Sequence, residues 1–323
     1  MDENRPENHP LLSIVVPMHN EQDNLDYLFE RLREVLDRIN LSYEIICIDD
    51  GSRDRTLPLL VKQHYLDSRI KIISFSRNFG KEIALTAGID HASGDAVIPI
   101  DADLQDPPEL IEALIAKWRE GFDVVYATRR SRLGESWLKR LTAGGFYRVI
   151  DKIGSVTIPR DTGDFRLLDR RVVNVLKQLP ERTRFMKGLF SWVGFRQTSI
   201  LFDRQERYQG RSSWNYWRLW NFAVDGITSF SLLPLKVWSY VGILFSLLAF
   251  VYGTFLIVRT LILGADVPGF ASIMVAVLFL GGVQLITLGI LGEYLGRVYE
   301  EVKGRPLYLV RDRYGLDDLQ TPR

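Results

Sequence analysis

The chain has 323 residues and a net charge of +1, with a quarter of its side chains charged, so nothing marks it as a general nucleic-acid binder. Its single cysteine, Cys47, excludes an internal disulfide framework and a multi-cysteine zinc site, and the four histidines are scattered without metal-ligand spacing. The average hides a division, because no charged residue occurs between Lys236 and Arg259 or between Asp266 and Glu293.

Residues 1–10 are polar and give no expectation of a signal peptide. The run Leu12 to Pro17 is β-branched and predicts a strand. Met18-His19-Asn20-Glu21 follows, then a helical pattern through about Ile39. Tyr43 to Ile48 predicts a second strand, with Cys47 in its core, ending in Asp49-Asp50-Gly51-Ser52. A third, Ile70 to Phe75, leads to Ser76-Arg77-Asn78-Phe79-Gly80-Lys81 and another helix. The fourth strand begins at Ala96 and runs into Asp101-Ala102-Asp103-Leu104-Gln105-Asp106. Strand alternating with helix predicts a parallel, doubly wound α/β sheet. Ligands of such sheets bind at the carboxyl ends of the strands. The clusters at His19-Glu21, Asp49-Asp50, Arg77-Lys81 and Asp101-Asp103 all fall at that edge.

Asp101 and Asp103, two apart in extended chain, are expected to project to one side. With the Gln105 amide they offer hard oxygen donors suited to Mg²⁺ or Mn²⁺ carrying a substrate diphosphate. A solvated acidic turn before Pro107-Pro108 is the plainer alternative. No Gly-x-Gly-x-x-Gly follows the first strand and no Gly-Lys-Ser/Thr P-loop occurs, which argues against a dinucleotide oxidoreductase and an ATPase.

Asp123 to Ala127 predicts a further strand, followed by Thr128-Arg129-Arg130, and Leu138-Lys139-Arg140 opens a helical stretch. Next come Asp161-Thr162-Gly163-Asp164-Phe165-Arg166-Leu167 and the polar run Arg204 to Trp214. The aromatic-rich stretch from Trp214 to Leu233 reads as an interfacial helix, and Gly134 to Ile153 as a second such element, each with a domain-core helix as the alternative. Two transmembrane helices are expected at 237–258 and 270–292, the first about 33 Å long. Arg297, Lys303, Arg305, Arg311 and Arg313 follow the second, which by the positive-inside rule keeps both termini in the cytoplasm.

Val16-Pro17-x-x-Asn20-Glu21, Asp49-Asp50-Gly51-Ser52, Arg77-Asn78-x-Gly80-Lys81 and Asp101-Ala102-Asp103-Leu104-Gln105-Asp106-Pro107-Pro108 together resemble glycosyltransferase family 2, of the GT-A fold. More narrowly they resemble polyprenyl-phosphate glycosyltransferases, the group of the dolichyl-phosphate mannose synthases, and within it the bacterial bactoprenol glucosyltransferases. The likeness extends to Leu291-Gly292-Glu293-Tyr294-Leu295-Gly296-Arg297. It implies a GT-A catalytic domain over 1–210, interfacial helices over 211–236, the two spans within 237–292 and a cytoplasmic tail over 293–323, in a bacterial inner membrane.

The resemblance also implies residue roles. Pro17 and Glu21 would line the base and ribose pocket, with Asp49 or Asp50 bonding the base. Asp101, Asp103 and Gln105 would hold the metal, and Lys81 would serve either the phosphate or helix packing. Arg129 and Arg140 would grip the lipid phosphate, unless they form a membrane-facing basic patch; the family's serine four residues past the second arginine is Gly144 here. Asp164 matches the position taken as catalytic base, with Asp161 as the fallback and a structural loop carboxylate as the plain alternative. Arg207, Gly210 and Ser212 fit a loop that closes over the donor diphosphate, although Ser213 stands where the family often has lysine.

The implied reaction is inverting, metal-dependent transfer of a sugar, glucose from UDP-glucose being the expectation, to undecaprenyl phosphate, giving a lipid-phosphate sugar for O-antigen or cell-envelope glycosylation. Other readings are a mannose, amino-sugar or formamido-sugar transferase on the same lipid, and a lipid-binding scaffold. A processive polysaccharide synthase is disfavoured by the absence of Gln-x-x-Arg-Trp. A homo-oligomer is expected, with product translocation and onward transfer left to a separate flippase and a downstream glycosyltransferase.

Overall fold

A computed structural model of the chain describes residues 11–39, 41–129, 162–179, 181–182, 184–202, 233–263 and 269–316. Strand β1 (Leu12–Met18) buries every residue but Pro17. Helix α1 (Leu25–Ile39) turns Leu25, Leu28, Phe29, Leu32, Val35 and Leu36 inward, the three-and-four spacing of one helical face. Then come β2 (Tyr43–Asp49), fully buried, α2 (Thr56–Leu66), β3 (Ile70–Phe75), α3 (Lys81–His91), β4 (Ala96–Pro99) and α4 (Leu110–Arg119). Strand β5 (Val124–Arg129) is followed by β6 (Thr162–Asp169). Helix α5 (Arg170–Gln178) is capped by the Asp169 carboxylate, which accepts from the Arg171 N–H. Helix α6 (Met186–Trp192) and β7 (Gln197–Phe202) complete this part.

The strands form one eight-stranded sheet in the order β7-β5-β6-β4-β1-β2-β3-β8, where β8 is Val310–Tyr314. Helices α1, α2 and α4 cover one face around Phe29, Leu60 and Trp118. Helices α3, α5 and α6 cover the other around Leu85, Val173 and Phe190. The four strands from which a parallel sheet is expected are parallel, but the sheet as a whole is mixed. Strands β4-β1-β2-β3 and the pair β5-β7 are parallel, but β6 runs antiparallel to β4 and β5, and β8 antiparallel to β3. Apolar patterning reports that a segment is a buried strand; its direction depends on a distant partner, and mixed sheets are common.

Two long helices lie between β7 and β8: α7 (Leu233–Leu263) and α8 (Phe270–Lys303). They touch through Phe245 and Phe279, edge to face at 5.3 Å, and leave most of their described apolar side chains exposed. Among the described residues, Val275–Lys303 is long and apolar enough to cross a membrane, whereas Tyr240–Phe255 is a shorter apolar stretch. The sequence predicts a span over 270–292, but α8 continues to Lys303. Of the expected interfacial helices at 211–236, positions up to 232 lie outside the described residues, as does the element expected at 134–153.

Candidate active site

The acidic clusters converge at the carboxyl ends of the parallel strands. Asp49 ends β2 and is completely buried; its Oδ1 accepts the Ser52 N–H (3.1 Å) and its Oδ2 the Ser74 hydroxyl (2.9 Å). Asp50 is 3% exposed and accepts the N–H groups of Phe79 (2.6 Å) and Gly80 (2.9 Å), while its carbonyl lies 2.8 Å from His19 Nδ1. Burial raises the Asp50 carboxyl above its ordinary value, and the two N–H donors only partly offset this. Both carboxylates therefore fasten neighbouring loops, a use that sequence alone did not suggest. Gly51, with φ of +62°, makes this crossing possible: a Cβ there would lie 2.4 Å from the Arg77 carbonyl carbon.

Pro17 and Glu21 flank the same edge from β1. The Glu21 N–H donates to Thr56 Oγ1 (2.9 Å) and its carboxylate accepts from Asn24 Nδ2 (2.6 Å). Asn20 tolerates its left-handed backbone (φ 56°), and its N–H donates to Ser52 Oγ at 3.0 Å.

Because Asp50 pins the Gly80 N–H, α3 starts at a fixed place and Lys81 points across the sheet. Its ammonium lies 2.7 and 2.8 Å from the two Asp101 oxygens and 2.6 Å from Asp164 Oδ2. Three sequence-predicted residues, from α3, the turn after β4 and β6, are thus one cluster. Desolvation lowers the Lys81 ammonium, but Asp101 and Asp164 more than reverse this and hold it well above its ordinary range. Burial would raise the Asp164 carboxyl, yet the charges of Lys81, Lys187 and Arg166 outweigh it and hold the group well below the usual carboxylate range.

Two supporting residues were not foreseen. Arg166, buried on β6 with its guanidinium 4.1 Å from the Phe190 ring centre, donates to the Gly163 carbonyl (2.8 Å) and the Asp164 carbonyl (3.4 Å). Burial lowers it to about 10, so it stays a cation beneath Asp164 at neutral pH. Glu82 accepts the Met186 N–H (3.1 Å) and is pushed up to about 7 by burial and by Asp164. Glu82 follows a motif lysine inside a helix, and no local pattern distinguishes it from a surface acid.

The aspartate pair sits differently from the expectation. Strand β4 ends at Pro99, so Asp101 and Asp103 lie in a turn and not on extended chain. The turn closes with the Leu104 N–H 3.4 Å from the Asp101 carbonyl, and Leu104 leaves it with a left-handed φ of 51°. Such a backbone is strained for a leucine and costs of order 1–3 kcal/mol. The Asp103 carboxylate accepts the Gln105 N–H at 3.2 Å. Among the described residues no three His, Cys, Asp or Glu side chains assemble into a metal cage. Two carboxylates and an amide nevertheless suit Mg²⁺ or Mn²⁺, which bind through one or two carboxylates plus substrate phosphates and water. Both Asp101 oxygens face the Lys81 ammonium, so a metal bound there would share that carboxylate with the lysine. The donor set fits.

Arg129 ends β5 beside the start of β6. A side chain at Gly163 would come within 3.8 Å of Arg129 Nη2 and 3.5 Å of Asp106 Oδ2. Among the described residues, Arg129 Nε, Thr128 Oγ1 and Asp164 Oδ1 are buried without hydrogen-bond partners. Unpaired donors and acceptors at a strand end are costly, and a ligand would satisfy them. Arg140, Asp161 and Arg207 lie outside the described residues.

Residues 13–176 match glycosyl transferase family 2, and residues 233–298 match the GtrB C-terminal hairpin. A glycosyltransferase of Synechocystis sp. is 67% identical over 308 residues, covering 95% of this chain and 97% of its own. The SfII prophage-derived bactoprenol glucosyl transferase of Shigella flexneri is 49% identical over 300 residues, covering 93% and 97%. Among solved structures, glucosyl-3-phosphoglycerate synthase from Mycobacterium tuberculosis, in complex with Mn²⁺, UDP-glucose and phosphoglyceric acid, aligns with a TM-score of 0.44 at 21% identity, covering 68% of this chain and 78% of its own.

Proposed function

The chain belongs to glycosyl transferase family 2, and we propose that it transfers a hexosyl group, glucose from UDP-glucose, to undecaprenyl phosphate. The observation that carries this reading is the pairing of the family 2 domain with the GtrB hairpin, along a chain that is 49% identical to a bactoprenol glucosyl transferase over 93% of its length.

The reaction is a displacement at the anomeric carbon. A phosphate oxygen of the lipid forms the new C–O bond while the bond to the nucleoside diphosphate breaks, and the configuration inverts. The acceptor's second pKa is about 6, so at neutral pH it is mostly a dianion and needs little deprotonation. Asp164, held far below the usual carboxylate range, is a poor base there. Its role is to orient Lys81 and the acceptor. Arg129 and Thr128 supply the buried donors that meet the lipid phosphate. Pro17, Glu21 and the loops fastened by Asp49 and Asp50 hold the nucleotide. Asp101, Asp103 and Gln105 would hold Mg²⁺ or Mn²⁺, which when bound neutralises charge on the leaving diphosphate.

Membrane placement has its own support. Strand β8, after the two long helices, pairs with β3 of the sheet that precedes them, so the chain leaves and returns on one side. The number of crossings between is then even. If α8 spans, the reading that α7 spans as well follows, with the sheet on the cytoplasmic side by the positive-inside rule.

The test is transfer of radiolabelled sugar from a panel of nucleotide sugars to undecaprenyl phosphate in detergent, with Mn²⁺ and with EDTA, beside Asp103→Ala and Lys81→Met. Metal-dependent transfer from UDP-glucose, reduced at least about tenfold in both variants, is expected. Transfer from another donor would keep the reaction class and replace the sugar. Lipid binding without product from any donor would overturn the enzyme reading.

A further inference from the structure

The sheet does not end with the catalytic strands. After α8 the chain returns, and Tyr308 stacks on Phe75 at 5.0 Å while its hydroxyl donates to Asp90 Oδ2 at 3.3 Å. The Leu309 carbonyl accepts the Ser76 N–H at 3.0 Å, and β8 then pairs antiparallel with β3. Ser74 faces Asp312 and Phe75 faces Val310, so Arg311 is the extra residue of a β-bulge. A bulge re-aims the side chain of its extra residue. Here the Arg311 Nη2 donates to Ser74 Oγ at 2.9 Å.

Ser74 is completely buried and is the register partner of Asp49 in the parallel pair β2-β3. Its hydroxyl accepts from Arg311 and donates to Asp49 Oδ2 (2.9 Å). The chain of bonds continues, since Ser52 N–H donates to Asp49 Oδ1 and Asn20 N–H donates to Ser52 Oγ. One hydrogen-bonded row thus runs from the C-terminal strand across β3 and β2 to the loop after β1. A hydroxyl has one proton to give. With a guanidinium occupying one lone pair, that proton is directed at Asp49.

We propose that Arg311 is a positioning residue for the nucleotide: through Ser74 it sets the Asp49 carboxylate and, beyond it, the Ser52 and Asn20 loops. The segment that closes the membrane hairpin is thereby part of the donor pocket, so the membrane part and the sugar-nucleotide site are built as one unit. This rests on the reading that the loops after β1 and β2 hold the nucleotide.

The experiment is calorimetric titration of the full-length protein in detergent with UDP and Mn²⁺, together with steady-state transfer from UDP-glucose, for Arg311→Ala, Ser74→Ala, their double variant and Asp49→Asn. Arg311→Ala is expected to weaken UDP binding and raise the donor KM about fivefold, the scale of one hydrogen bond. Its kcat and its KM for lipid phosphate stay within about twofold, a split that general loosening of the fold would not give. The double variant should resemble either single one, because both break the same row. Multiplying effects of Arg311→Ala and Ser74→Ala would overturn the row. So would Arg311→Ala binding UDP like the parent while Asp49→Asn is weakened. If Asp49→Asn itself binds UDP normally, the nucleotide reading of these loops fails, and the inference with it.

Discussion

Glu82 is a residue whose charge state should change within the neutral pH range. Its carboxyl is pushed up to about 7 in the folded chain, against 4.5 for a free side chain. The native state therefore binds more protons than the unfolded state between those values, so stability falls as pH rises from about 5 to about 7. Glu82→Gln cannot ionise and keeps an oxygen for the Met186 N–H. The variant should melt higher than the parent at pH 8, by a margin on the order of 2 kcal/mol that shrinks toward pH 5. A melting difference independent of pH would assign the titration elsewhere. The neighbouring Lys81, legible from its motif, had two readings of equal standing in the sequence. In the folded chain its ammonium joins two carboxylates, Asp101 and Asp164, that are 20 and 83 residues away in the sequence.

Among elements, the turn from β2 to α2 is the most demanding. Gly51 is locked between the Asp49-Asp50 pair and the Arg77-Asn78 backbone, with both a positive φ and no room for a Cβ. Gly51→Ala should cost about 2 kcal/mol or more, since the backbone at Arg77 must move. That movement should loosen the loop that Asp50 fastens ahead of Lys81, so UDP binding should weaken along with thermal stability. Unchanged UDP affinity in a destabilised variant would mean that the turn serves the fold alone. A similar tightness joins α3 to the sheet, where a Cβ on Gly88 would meet Val15 Cγ1 at 2.1 Å. The Asp-Gly pair at this turn was visible in the sequence; what crosses beside it was not.

At the scale of the molecule, the return of β8 to the catalytic sheet constrains topology. Cys47 is completely buried, and burial pushes its thiol well above the ordinary range, so the parent chain offers no reactive thiol. Single cysteines placed at Ala265 and at Gln320 can then be read in intact cells with a membrane-impermeant reagent. Ala265→Cys should label from outside, and Gln320→Cys only after permeabilisation. Outside labelling at both positions would remove the even-crossing hairpin. Protection of both in intact cells would turn α7 and α8 into a surface hairpin.

The sequence by itself determined the alternation of strands and helices through β4, the polar clusters at the strand ends, the two apolar runs and the family's motifs. Each is a local property: periodicity reports burial, and a motif reports a loop of fixed length. Tertiary structure alone decided that β6 and β8 run antiparallel, that the aspartate pair lies in a turn beyond β4, that Lys81 joins Asp101 to Asp164, and that Arg311 reaches Ser74. Those are pairings between segments up to 237 residues apart. They depend on which edge of the sheet a distant strand finds, and no local window of sequence contains that information.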